Sequence, residues 1–179
     1  MPRSARALVL LSSLAMLAAA APATASAAGP VRAVLDGKAI SLAEARSLSC
    51  HDFDYPVLTC FRTAADMEAA AAARAGSSGS STPSGGSATA PLAAAATGYV
   101  IVWVDGQYVG SARALSQDYS YLGTIGWNDV ISSFKSYGAT GHFWENAPTG
   151  GFIYNFYPTS QASYVGDYYN DKFSSLYFG

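Results

Sequence analysis

The residues best suited to chemistry come in two copies. Asn128-Asp129-Val130-Ile131-Ser132-Ser133 recurs 42 residues later as Asn170-Asp171-Lys172-Phe173-Ser174-Ser175. Asn, Asp and Ser place short oxygen-bearing side chains at a turn where backbone carbonyls are also free. Calcium takes six to eight such oxygens at about 2.3–2.6 Å. The intervening pairs, Val130-Ile131 and Lys172-Phe173, differ between copies, as expected of residues that give only a carbonyl or pack inward. Lys172 stands where a charge-rich cage would need a carboxylate, so the expected affinity is modest. In one copy alone such residues serve local turn hydrogen bonds. Two matched copies point to a ligand.

Catalysis finds little to work with. The chain has two histidines, His51 beside Cys50 and His142 before a hairpin, and neither sits in a nucleophile or metal motif. The reading is therefore non-enzymatic. The aromatic surplus leaves carbohydrate binding through exposed Tyr and Trp open as a further reading.

The elements that must hold the two motifs are short. Residues 97–179 contain 20 of the 23 aromatic residues, in apolar runs bounded by Gly, Asn, Asp and Pro. The runs Tyr99–Val104, Tyr108–Val109, Ile131–Phe134 and Phe152–Tyr157 read as strands, with no sustained helical period. Ser120-Tyr121-Leu122-Gly123 also recurs, as Ser163-Tyr164-Val165-Gly166. The region is thus two copies of one unit, and a four-stranded Greek key is the natural unit of that length. Trp127, Tyr169, Tyr121 and Tyr164, just before the motifs, are expected in the core.

At these residues the chain resembles the microbial βγ-crystallins, whose calcium signature is one (Asn/Asp)-(Asn/Asp)-x-x-(Ser/Thr)-Ser motif per Greek key. Both copies match at every fixed position. The family's first-hairpin pattern is present as Trp103, Tyr108 and Gly110; the second key departs from it, with Glu145–Gly151 forming a longer hairpin. The resemblance implies an all-β sandwich of two Greek keys. It also implies two calcium ions in a reciprocal clamp, each motif giving a third-position carbonyl and a fifth-position hydroxyl while its second side chain reaches the partner's ion. Carried over, this names Asp129, Val130 and Ser132 with Asp171, Lys172 and Ser174, and a further hairpin carbonyl near Asp105 in the first key and near Glu145 in the second. Some actinobacterial metalloproteinase inhibitors share the fold, so a secreted protease inhibitor acting through the 145–151 loop is the alternative.

Upstream the chain changes character. Arg3 and Arg6 precede an apolar run and an Ala-x-Ala site at Ala25-Ser26-Ala27, which reads as a secretory signal peptide over 1–27 and an extracellular protein with no membrane span after cleavage. Residues 28–75 read as a small helix-strand-helix α+β unit. Ser41-Leu42-Ala43-Glu44 is a capping box, Val57–Phe61 a strand, and the Ala-rich run from Thr63 to Ala75 a second helix. Cys50 and Cys60, an even pair in an exported chain, are expected to form a disulfide. So small a unit needs that bridge or a docking surface. Residues 76–96 are Gly, Ser, Thr, Pro or Ala at 20 of 21 positions and read as a flexible linker. Without the leader the net charge is −4, which disfavours nucleic acid as a partner.

Overall fold

The computed structural model describes residues 29–77 and 98–179. The leader expected over 1–27 and residues 78–96 of the expected linker lie outside them.

From Tyr99 onward the chain forms β5 (Tyr99–Trp103), β6 (Ala112–Leu115), β7 (Ser133–Tyr137), β8 (Gly141–Trp144), β9 (Ile153–Phe156), β10 (Gln161–Ala162) and β11 (Ser175–Phe178). The third leg of each key crosses to the other key's sheet. β10 pairs with β7, while Tyr119 bridges to Leu176 with two backbone hydrogen bonds of 2.8 and 2.9 Å. Each motif therefore lies between two sheets that have already exchanged a strand, as two interlocked Greek keys require. Phe134, Phe143, Phe156, Phe173, Leu122 and Trp127 fill the space between the sheets. Each fully buried side chain of this kind contributes about 1.5–3 kcal/mol.

Two strand readings need correction. Tyr108–Val109 is not a strand: Gly106–Tyr108 forms a 3-10 turn with Gln107 and Tyr108 at φ 58° and 61°, a left-handed backbone that no ladder accommodates. The reading over Ile131–Phe134 began too early, since Ile131 and Ser132 belong to the motif's exit and β7 starts at Ser133.

The N-terminal unit is richer in strands than helix-strand-helix. It runs β1 (Arg32–Leu35), β2 (Lys38–Ile40), α1 (Leu42–Ala45), β3 (Ser49–Asp54), β4 (Val57–Phe61) and α2 (Ala64–Ser77). β1 and β2 form a hairpin about Asp36-Gly37, both at positive φ, the dipeptide that suits a tight primed turn. α1 carries the expected capping box: Ser41 Oγ accepts from the Glu44 amide, and Glu44 accepts from the Ser41 amide. α2 takes in Gly76 and Ser77, two residues beyond the expected end. Cys50 and Cys60 face each other across β3 and β4 and are bonded.

This unit finds its docking surface on the sandwich. β3 adds in parallel to the free edge of β6, with Cys50 opposite Arg113 and His51 opposite Ala114. One eight-stranded sheet results, in the order β10-β7-β5-β6-β3-β4-β1-β2, alongside the three-stranded β11-β8-β9. Met67 and Ala71 of α2 then cover the outward side chains Tyr99, Ile101 and Trp103. Trp103, which Tyr108 and Lys135 also cover, is fully buried.

Candidate functional site

Each motif is a turn with its second residue in the left-handed region, Asp129 at φ 54° and Asp171 at φ 55°. Among residues with a Cβ, Asp and Asn tolerate that conformation best. In each, the Asn amide donates to the carboxylate of the following Asp: Asn128 Nδ2 to Asp129 Oδ2, and Asn170 Nδ2 to Asp171 Oδ2. Both Asn side chains thus fix the turn. Their Oδ1 atoms are buried without a partner among the described residues.

The backbone places the two turns as near mirror copies. The Asp129 amide donates to Phe173 O and the Asp171 amide to Ile131 O; the Ser132 amide donates to Trp103 O and the Ser174 amide to Trp144 O. These bonds bring each second-position carboxylate to the other motif's fifth-position hydroxyl. Ser174 Oγ lies 3.1 Å from Asp129 Oδ1, and Ser132 Oγ lies 3.3 Å from Asp171 Oδ1. Asp129, Asp171, Lys172 and Ser174 line one open cleft together with Glu145 and Asn146.

The remaining candidates divide. Among the described residues the carbonyl oxygens of Val130 and Lys172 accept no hydrogen bond. Lys172 turns its side chain away, Nζ donating to Tyr168 O and lying over the Tyr168 ring, so only its carbonyl is left for the cleft. Near the expected hairpin position stand two carbonyls, those of Asp105 and Val104. The Asp105 carbonyl accepts from Ser133 Oγ, whereas Ser132 Oγ, the hydroxyl beside Asp171, donates to Val104 O at 2.7 Å. Val104 O, next to Asp105, is thus the hairpin carbonyl that shares the Ser132 hydroxyl with Asp171. In the second key Glu145 holds the Val104 position and Asn146 the Asp105 position, since Ser175 Oγ donates to Asn146 O. The Glu145 carboxylate accepts from the Phe152 amide of its own hairpin. Val104 could not be singled out in the sequence because a backbone carbonyl leaves no mark on residue type.

These groups fit a calcium ion. Each cluster offers a carboxylate oxygen, a hydroxyl and an uncommitted carbonyl. Two ligands of one calcium ion lie roughly 2.8–3.5 Å apart, the separation at which the Asp and Ser oxygens already stand. No three His, Cys, Asp or Glu side chains converge on one point among the described residues. A cation here depends on backbone and hydroxyl oxygens, which suits a hard ion and not a soft one.

Of the four aromatics before the motifs, Trp127 is buried in the core, but Tyr121 and Tyr164 are 47% and 45% exposed and Tyr169 is half-buried. Tyr164 donates its hydroxyl to Asp167 at the surface. Where the N-terminal unit meets the sandwich lie two buried ionisable groups that the sequence did not signal, Asp52 beside Ser116 and Tyr119 and Arg113 beside Trp127. Burial pushes the Asp52 carboxyl up to about 6, against hydrogen bonds from Ser116 and Tyr119 that lower it. Burial lowers Arg113 to about 9.

No protein-family model matches the chain, and no curated protein matches it. Among solved structures it is similar to a βγ-crystallin domain from Clostridium beijerinckii, in a double-mutant form, at 30% identity over 45% of this chain and 94% of that one, with a TM-score of 0.40. It is also similar to a βγ-crystallin from an archaeon (25% identity, 46% and 98% covered, TM-score 0.42) and to one from Ciona intestinalis (23%, 46% and 100%, TM-score 0.42). Interlocked keys with one Asn-Asp-x-x-Ser-Ser turn apiece define a double Greek-key protein. The chain belongs to the βγ-crystallin family, a membership carried by its paired motifs.

Proposed function

We propose that this is a secreted, non-enzymatic calcium-binding protein whose two motifs hold two ions and stabilise the sandwich. The observation that carries it is the exchange of side chains: Asp171 beside Ser132, and Asp129 beside Ser174. The first ion would be held by Val130 O, Ser132 Oγ, an Asp171 oxygen and Val104 O, the second by Lys172 O, Ser174 Oγ and an Asp129 oxygen. Calcium would neutralise charge between two turns whose backbones are already joined by the Asp129 and Asp171 amides. The leader-like N-terminus and the Cys50–Cys60 bridge support export. A non-enzymatic role is supported by the histidines: His51 is buried against Phe53 and Phe61, and His142 packs with Trp144 and Tyr177.

Isothermal titration of calcium into the whole protein, with melting curves in calcium and in chelator, tests the reading. Two ions and a calcium-dependent rise in melting temperature are expected, the rise lost in the Asp129→Ala/Asp171→Ala double variant. At ten times the dissociation constant each site adds about 1.4 kcal/mol. Identical curves under all conditions would end the proposal.

A further inference from the structure

The two keys differ at one pair of equivalent positions. In the first, Arg113 of β6 stands opposite Val102, and its guanidinium lies 4.8 Å from the centre of the Trp127 ring. In the second, the equivalent residue of β9, opposite Phe143, is Tyr154, and it packs edge-on against Tyr169 at 4.9 Å. Trp127 and Tyr169 are the residues immediately before the two Asn-Asp pairs. The second key thus backs its motif with an aromatic pair from its own strands. The first backs its motif with a cation that the key cannot satisfy alone.

The missing partners come from the N-terminal unit. Arg113 is wholly buried; Nη2 donates to Ala45 O at 2.7 Å, and Nη1 to Leu48 O at 2.8 Å as well as to its neighbour Ala112 O. Ala45 and Leu48 flank the turn from α1 into β3. The same turn carries Arg46 to Gly126, where a Cβ would sit 2.6 Å from Arg46 Nε. Gly126, Trp127 and the first motif are consecutive in the chain. Its Nε is buried with no hydrogen-bond partner among the described residues, so the guanidinium keeps its depth only while its Nη groups stay paired. If β3 left the edge of β6, Arg113 would lose two carbonyls and be drawn towards water, and its hold on Trp127 would go with it.

We infer that Arg113 is a positioning residue through which docking of the N-terminal unit sets the first calcium motif, so that docking and calcium binding are coupled. The inference rests on the calcium reading and adds a role for residues 29–77. Coupling of this kind is reciprocal: if docking favours calcium, calcium must favour docking by the same factor. The second motif, backed by Tyr154, has no such dependence through its own strands.

Two measurements on the full chain test this. Hydrogen exchange followed by mass spectrometry compares wild-type protein in calcium and in chelator. Calcium is expected to slow exchange about fivefold or more at the β3 amides around Cys50–Asp52, which lie outside both motifs. Titration of calcium into Arg113→Met is expected to show affinity lowered about tenfold relative to wild type, and calcium should no longer protect β3. Tyr154→Phe, which keeps the aromatic pair, should leave calcium protection of β3 as in wild type. A merely structural Arg113 would lower the melting temperature equally with and without calcium and leave affinity untouched, and that result overturns the inference. Two bound ions with unchanged β3 exchange in wild type also overturns it, even if Arg113→Met fails to fold. Absence of any bound ion defeats the calcium reading itself, and the coupling falls with it.

Discussion

Asp129 and Ser174 stand 45 residues apart in the chain and 3.1 Å apart in space, and Asp171 and Ser132 repeat the contact in the opposite sense at 3.3 Å. Each turn is therefore completed by the other. Neither Greek key alone can assemble either cluster.

The left-handed backbone at Asp171 separates strain from ligation. Asp171→Ala loses the carboxylate and forces a Cβ without a hydrogen-bonding partner into a conformation costing about 1–2 kcal/mol. Asp171→Gly loses the carboxylate but not the backbone freedom. In chelator the Gly variant is expected to be the more stable by about 1 kcal/mol, while both bind one calcium ion fewer. Denaturant unfolding and titration measure the two effects independently; equal stability of the variants would show that the turn is not strained.

Asp52 makes stability depend on mildly acidic pH. Its carboxyl, ordinarily at 3.8, lies at about 6 in the fold because burial disfavours the charge. Between those values the folded protein keeps a proton that the unfolded chain has released. The contribution of this group is therefore full below about pH 4 and lost as pH rises through about 6, by at most about 3 kcal/mol. Asp52→Asn removes the titration, keeps an acceptor oxygen for Ser116 and turns its amide nitrogen to the Tyr119 hydroxyl oxygen, and should flatten the slope. Urea unfolding from pH 4 to 7 reads it, and parallel slopes for variant and wild type would remove Asp52 as the cause.

The motifs were legible because their chemistry needs particular side chains at fixed spacing, and a left-handed turn leaves few residue types to choose from. β5 was legible as an apolar run. β6, by contrast, reads Ala-Arg-Ala-Leu, a composition closer to helix than to strand. Its identity comes from pairing with its hairpin partner β5 and with β3, which is distant in the chain, and local preference does not record either. β3 hides for the same reason: Asp52 sits in the middle of a buried strand, where an acid is ordinarily absent, because Ser116 and Tyr119 supply donors from the sandwich. What was least visible is the docking itself, since β3 meets the edge of β6 through backbone groups that every residue possesses.

The Cys50–Cys60 bridge spans a separation of 10 residues, and closing a loop of that length restricts the unfolded chain by about 3 kcal/mol on the chain-entropy account. Cys50→Ala/Cys60→Ala is expected to melt about 10 °C lower. β3 carries both the bridge and the contact to β6, so the sandwich should feel the loss. Scanning calorimetry checks this: a separate early transition, with the sandwich melting unchanged, would mean that the N-terminal unit unfolds alone.

Trp127 and Tyr169 occupy equivalent places before the two motifs but should not cost the same. Trp127 is 1% exposed and lies under Arg113, so Trp127→Ala opens a large cavity and also strips the guanidinium of its ring. A loss of about 3–5 kcal/mol is expected from the cavity. Tyr169 is half-buried, and Phe152, Tyr154 and Phe173 remain packed beside the space it vacates. Its truncation should cost about 2 kcal/mol or less, nearer the ordinary range for single substitutions. Denaturant unfolding of the two variants in chelator makes the comparison free of calcium. Equal losses would mean that burial in the first key adds nothing, and that the N-terminal unit merely rests on a sandwich that is symmetrical without it.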